Sequence, residues 1–232
     1  MSKPTYTIRN YHPEDFDKLI QLQAEVHELR QTGCLISLLD LIESVGQANH
    51  SSKSNLLIAE RVGEIVGYAD VRPESNIGRV VLRWLVHPKH LRKGLIIKLV
   101  DRTLSWTREL GIMTVHINIS QDSSMAKQLL AKIGFTFVRR FLELRLDLSK
   151  TNVPEISKSA LRCRSLQSGE EGRLTHLQNR SFTGSWGYNA NTVEDILYRV
   201  SLPNCSPKDV LVAFDSDKLI GYCWTTINFW RN

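Results

Sequence analysis

Hydrophobic positions along the chain change period several times, and each change marks an element. The run "RVVLRWLV" (79–86) is β-branched and apolar for long enough to be a buried strand, and Pro88 just beyond it cannot continue a ladder. After Gly94 the spacing becomes three and four: Ile96, Leu99, Val100, Thr103, Trp106 and Leu110 recur on one face, while Lys98, Asp101, Arg102, Arg108 and Glu109 fall elsewhere. This predicts a long amphipathic helix over 92–110 that Gly111 ends. The same reading predicts a strand (5–10), helices (13–29 and 36–46), a hairpin (55–73), the strand 79–86, a strand (113–119), a helix (123–133) and two closing strands to 148. After the linker "SKTNVPEISKS" come a strand (160–165), helices from 170 and over 191–201, and a hairpin (209–228).

The two halves repeat one another. "LLIAERVGEIVGYADV" from Leu56 aligns without gaps on "VLVAFDSDKLIGYCWT" from Val210, matching Leu57 with Leu211, Ala59 with Ala213, Gly67 with Gly221 and Tyr68 with Tyr222. Further back, "IRNYHPEDFDKLIQLQ" from Ile8 aligns on "CRSLQSGEEGRLTHLQ" from Cys163, matching Arg9 with Arg164, Leu19 with Leu174, Leu22 with Leu177 and Gln23 with Gln178. Two matches in the same order indicate an internal duplication. The expected organisation is a complete unit over 1–150 and a truncated copy over 151–232. The copy lacks a counterpart of the 79–110 strand, loop and helix and is not expected to hold the same ligand. Its apolar hairpin leaves an edge that needs cover, either from the first unit or from another chain, the latter giving a homodimer through the second unit.

Composition narrows the class. The 232 residues are 42% hydrophobic and 23% charged, ordinary for a folded globular chain. The four cysteines, Cys34, Cys163, Cys205 and Cys223, are widely spaced, which suggests neither a zinc site nor a disulfide framework. No leader and no membrane-length apolar run is visible, so a cytoplasmic protein with no membrane partner and no metal is expected. The net charge of +6 is concentrated: Arg79, Arg83, Lys89, Arg92, Lys93, Lys98 and Arg102 share one strand–loop–helix unit with His87 and His90. A solvated basic face would explain scattered charges. Here a glycine-containing turn at a helix start leaves several N–H groups without carbonyl partners, which favours a phosphate-bearing ligand. Nucleic acid is disfavoured, because neither a zinc-finger spacing nor an aromatic–basic platform is present.

These residues carry a resemblance to the GNAT superfamily, the GCN5-related N-acetyltransferases. "LRWLVHP" followed by "KHLRKGLIIKLV" resembles the family's acyl-CoA loop, V-x-P-x-x-[QR]-x-x-G-x-[GA], and "DSSMAKQLLAKIGF" resembles its second signature, N-x-x-A-x-x-L-Y-x-x-x-G-F. The two-copy layout is similar to tandem acetyltransferases of the mycothiol synthase type. The resemblance implies an α/β (α+β) fold, with a mixed, mostly antiparallel central sheet flanked by helices, followed by a partial second unit. It implies acetyl-CoA as cosubstrate and a small-molecule or peptide amine as acceptor. Backbone groups near Leu85 and Val86 would receive the pantetheine arm. The amides of Arg92, Lys93, Gly94, Leu95, Ile96 and Ile97 would receive the pyrophosphate, and Ser123 stands at the Asn position of the second signature.

The chain also departs from the pattern. Leu91 replaces Gln or Arg, Ile96 replaces a small residue, Leu130 takes the place of the thiolate-protonating tyrosine, and Arg83 takes that of the strand glutamate used as base. His116, on one face of "TVHINIS" with Asn118, is a candidate proton relay, although a lone strand histidine is more often structural. Tyr68 ends a hairpin near the acceptor side, yet its counterpart Tyr222 suggests packing. Glu60 is a candidate base or simply a half-exposed strand residue. The leading expectation is an N-acetyltransferase with degenerate catalytic motifs. The alternative is a non-catalytic acyl-CoA-binding or regulatory module.

Overall fold

The computed structural model describes residues 5–29, 38–47, 51–91, 94–151 and 161–226. The chain forms two sheets. Strands β1 (Thr7–Asn10), β2 (Leu56–Arg61), β3 (Glu64–Glu74), β4 (Arg79–Val86) and β5 (Thr114–Ile117) lie in sequence order, antiparallel except for the β4–β5 pair. Strands β6 (Arg162–Ser165), β7 (Val210–Asp215) and β8 (Lys218–Trp224) form an antiparallel second sheet. Helices α1 (Phe16–Glu28), α2 (Leu38–Gly46), the four-residue α3 (Ser52–Asn55), α4 (Leu95–Glu109) and α5 (Ser124–Lys132) belong to the first unit, and α6 (Glu171–Phe182) and α7 (Val193–Val200) to the second. The expected mixed, mostly antiparallel architecture is therefore present, with a partial second sheet.

Periodicity decides which faces are buried. In α1, Leu19, Leu22 and Val26 enter the core at spacings of three and four. In α4, Leu95, Ile96, Leu99 and Val100 do so, and two buried threonines satisfy their hydroxyls within the helix, Thr103 donating to the Leu99 carbonyl at 2.9 Å and Thr107 to that of Thr103 at 2.8 Å. β2 and β3 present near-continuous apolar runs because both faces of this sheet are covered. The second unit has its own smaller core around Leu174, Ile196, Val210, Val212 and Phe214.

The duplication read from the sequence extends to side-chain contacts. Arg9 bonds both carboxylate oxygens of Asp15 (2.6 and 2.7 Å), and Arg164 does the same with Glu170 (both 2.7 Å). Gln23 donates to the Tyr68 hydroxyl, and Gln178 donates to that of Tyr222 at 3.1 Å. The register of both hairpins shifts at equivalent points, Ala59/Glu60 and Ala213/Phe214, and their turns carry equivalent residues at positive φ, Val62 and Ser216.

The units are joined through α2 and α7. The Tyr198 hydroxyl donates to the Ile42 carbonyl at 3.0 Å, Gln47 donates to Asp195 at 2.9 Å, and Arg199 pairs with Glu43 at 3.4 Å. A side chain on Gly46 would overlap the Tyr198 ring, so close approach requires glycine there. The second unit thus packs on the first through α7, while Leu211 and Ile220 of its apolar hairpin stay exposed.

The two closing strands expected up to 148 are not formed among the described residues, where 135–147 take no sheet pairing. β5 is the edge strand of the first sheet, yet the start of this segment lies against the second unit instead. Val138 lines the inter-unit cleft, and the Arg139 guanidinium lies 5.3 Å over the Trp186 ring.

Arg164 holds the Glu170 carboxyl down at about 2, well below the usual carboxylate range. A depressed folded-state value contributes stability that is complete above the ordinary pKa and is lost as pH falls from there towards about 2. Glu170→Gln should therefore lower stability at pH 7 and flatten its pH dependence below about pH 4.5, as read by urea unfolding across pH.

Candidate functional site

β4 is eight residues long, but it pairs with β5 only from Arg79 to Leu82, opposite Thr114 to Ile117. Among the described residues it bonds β3 alone from Arg83 to Val86, so its other edge there carries main-chain donors and acceptors without a described strand partner. His87 closes the strand by donating its amide to the Val66 carbonyl at 2.9 Å, and a short 3₁₀ turn (Pro88–His90) follows. Gly94 then takes φ +78°, the left-handed conformation, and caps α4. A Cβ at Gly94 would meet nothing within 4 Å, so backbone conformation rather than space requires glycine in the protein alone. The first helical bond runs from the Lys98 amide to the Gly94 carbonyl at 3.3 Å. The amides of Leu95, Ile96 and Ile97 precede it and stand at the positive end of the helix dipole.

The residues expected to bind the cosubstrate are thus largely brought together. Leu85, Val86, Gly94, Leu95, Ile96 and Ile97 form one strand–turn–helix corner, with Leu85, Val86, Leu95 and Ile96 burying their side chains in the core and Ile97 exposed. Arg92 and Lys93 lie outside the described residues. Ser123 occupies the N-cap position of α5, beyond the end of β5, and its side chain makes no capping bond. Beside the corner, buried His90 meets the Tyr6 hydroxyl through Nδ1 at 3.0 Å.

Tyr68 and His116 stand elsewhere. Tyr68 is fully buried with its hydroxyl on Gln23. His116 sits in the paired part of β5, opposite Val81, and stacks on Trp186 of the second unit with ring centroids 5.4 Å apart and planes 10° off parallel. Arg79 joins this contact, donating to the Gly187 carbonyl at 2.6 Å, pairing with Glu74 and approaching His116 Nδ1 at 3.4 Å. A cleft of about 660 Å³ opens here, lined by Arg79, Thr114, His116, Ser185, Trp186 and Tyr188 among others. Burial, and then the neighbouring Arg79 charge, hold the His116 pKa below the usual histidine value. Leu130, at the position expected for a proton donor, is buried in the first core.

Sequence reasoning missed the group around Arg83. Its guanidinium bonds Asp70 at 2.5 Å, Asp40 at 2.6 Å and the Ser44 hydroxyl at 2.8 Å. Ser44 donates to Asp70 at 2.7 Å, and Arg72 adds contacts to Asp70 at 3.1 Å and to Ser44 at 2.5 Å. Asp70 is 1% exposed. Two guanidiniums and two carboxylates thus neutralise each other between α2, β3 and β4. The signal was available: Asp70 and Arg83 each interrupt an apolar run, and a charge in a buried strand demands a partner.

Among the described residues no group of three or more His, Cys, Asp or Glu could hold a metal ion, and no helix is long and apolar enough to cross a membrane.

A strand that parts from its parallel neighbour and turns through a left-handed glycine into a helix start defines a class of α/β proteins suited to an extended ligand ending in an anion. The model of the acetyltransferase (GNAT) domain matches residues 6–136, more than half of the chain, and the chain belongs to that family. The chain is 27% identical over 77% of its length to the mycothiol acetyltransferase of Thermomonospora curvata, and 26% identical over 92% of its length to that of Actinosynnema mirum. It spans 59% and 71% of those two proteins. Among solved structures, a GCN5-related N-acetyltransferase from Sphaerobacter thermophilus superposes with a TM-score of 0.66 at 17% identity, covering 97% of this chain and 72% of that one. This similarity shows that the fold extends across both units.

Two outcomes follow from this geometry. Asp70→Ala leaves Arg83 and Arg72 without their buried counter-charge and should cost about 3–5 kcal/mol in urea unfolding. In an NMR titration, the His116 midpoint should lie below 6.5 and move up towards it in Trp186→Ala, which removes the stacked cover.

Proposed function

We propose that this protein is an acetyl-CoA-dependent N-acetyltransferase acting on an amine acceptor. The observation that carries the reading is the unpaired half of β4 leading through Gly94 into the start of α4. Acetyl-CoA supplies the acetyl thioester. The free edge of β4 near Leu85 and Val86 would bond its amide-bearing arm as a further strand would. The amides of Gly94, Leu95, Ile96 and Ile97, with the charges of Arg92 and Lys93, would receive its pyrophosphate. Transfer requires a neutral amine to attack the acyl carbon, the carbon–sulfur bond to break, and the departing sulfur to gain a proton. Ser123, at the N-cap of α5 beyond β5, would lie on the sulfur side. His116 is assigned to the acceptor side, where its lowered pKa keeps it neutral and able to take a proton from the ammonium. Tyr68 would contribute through its pair with Gln23 and thereby through the seating of α1.

In this reading residues 1–150 bind the cosubstrate, and residues 151–232, a partial copy, form the outer wall of the acceptor side. The relatives named mycothiol acetyltransferase support a small-molecule amine as the acceptor class, and a cytoplasmic location fits such chemistry.

A second reading rests on Leu130 and Arg83. The first is sealed in the core and the second is neutralised, so neither supplies the acid or the base of the family pattern. A non-catalytic acyl-CoA-binding module would account for both.

Calorimetry with acetyl-CoA tests what the readings share: heat of binding is expected, and its absence at millimolar ligand overturns both. Gly94→Val, which forces a β-branched residue into left-handed backbone, should weaken binding at least tenfold. A thiol-release assay over an amine panel then separates them, since binding without release selects the module. His116→Ala should leave binding intact while lowering the rate about 100-fold. An unchanged rate removes His116 from the reaction.

A further inference from the structure

The basic residues around the Gly94 corner do not all face outward. Tyr6, just before β1, is 5% exposed, and its hydroxyl meets Nδ1 of His90 at 3.0 Å, although the two stand 84 residues apart in the chain. Their rings lie edge to face, with centroids 5.7 Å apart. His90 ends the 3₁₀ turn and is itself buried. On the other side of the corner, the Lys98 ammonium stands 5.9 Å from the centroid of the same Tyr6 ring, within the range of a cation–π contact. One tyrosine therefore touches both the turn that enters the corner and the first turn of the helix that leaves it.

The turn's own bonds fix its shape. The His90 amide donates to the His87 carbonyl at 2.8 Å, and the Lys89 amide donates to His87 Nδ1 at 3.2 Å. These bonds do not fix where the turn stands relative to the rest of the unit. The Tyr6–His90 contact does, because it ties the end of β4 to the start of a strand that is not its neighbour in the sheet. Lys98 carries a second signal. The first turn of α4 holds no acidic residue and one lysine, an arrangement that the helix dipole opposes unless an anion stands near. We propose, on the reading of this corner as the acetyl-CoA site, that Tyr6 is its positioning residue. Through His90 and Lys98 it holds the turn and the ammonium ready for the diphosphate. Groups that must all reach one anion tolerate displacements of only about 0.5 Å, so loss of the tyrosine hydroxyl is felt as affinity for the anionic end of the ligand. The acyl-bearing arm, bonded at the edge of β4, does not depend on it.

Calorimetry on the full chain tests this. Tyr6→Phe keeps the ring, its edge contact with His90 and its face for Lys98, and removes the hydroxyl alone. Its dissociation constant for acetyl-CoA should rise about tenfold, the order of one buried hydrogen bond. S-acetylpantetheine, which keeps the arm and lacks the diphosphate, should bind wild type and variant alike. Lys98→Met, which keeps the stem and removes the charge, should weaken acetyl-CoA binding at low salt, and the difference should shrink at about 1 M salt. A Tyr6→Phe protein that binds acetyl-CoA as tightly as the wild type overturns the proposal, whatever its stability to urea. So does an equal loss for both ligands, the mark of a general loosening, and so does a Lys98→Met protein with unchanged affinity. A wild type that binds no acetyl-CoA removes the acetyl-CoA reading of the corner itself, and the role of Tyr6 with it.

Discussion

The organisation of the first unit turns on where β4 stops pairing with β5. Over four residues the two strands share a parallel ladder, and beyond it β4 keeps only its antiparallel neighbour. Everything next in the chain depends on that parting. The strand ends with its outer edge unmet, the turn after Pro88 reverses direction, and Gly94 accepts a backbone conformation that side chains resist. The helix start then presents donors that its own carbonyls cannot reach. Had the ladder run the full length of β4, the same residues would make an ordinary βα crossover with no room for a ligand.

The second unit is tied to the first at two places with different chemistry. At α2 and α7 the contact is polar and close, set by Gly46, Tyr198 and two side-chain pairs. At β4 and β5 it is aromatic, with Trp186 stacked on His116 and Arg139 above the same ring. α2 is accordingly held from both sides, by the Arg83 cluster beneath and by α7 outside. A change in either place reaches the other through one short helix.

Much of this was legible in the amino-acid order. The strand 79–86 was placed to the residue, and the repeat announced by Gly67 with Tyr68 and Gly221 with Tyr222 recurs as matched Gln–Tyr and Arg–carboxylate pairs. Periodicity and glycine positions are local signals, and the corner around Gly94 is built from local signals. What could not be read was non-local. The partners of Arg83 come from α2 and β3, and the ring covering His116 comes from some seventy residues away. The closing strands failed for the same reason: "FLELRLDL" has strand periodicity, but periodicity does not say that a segment will pair, and among the described residues this one does not join the outer edge of β5. Ile96, which replaces a small residue of the family pattern, has its side chain in the core, because helix phase rather than residue size decides where a side chain goes.

The outer face of α2 also has a bearing on biosynthesis. A nascent chain emerges from its N-terminus, so the larger core can be assembled before α7 has left the ribosome. Glu43, Gly46 and Gln47 then form a finished platform on which the later segment arrives, and its small core condenses against a surface already in place. Until that arrival Trp186 gives no shelter to His116.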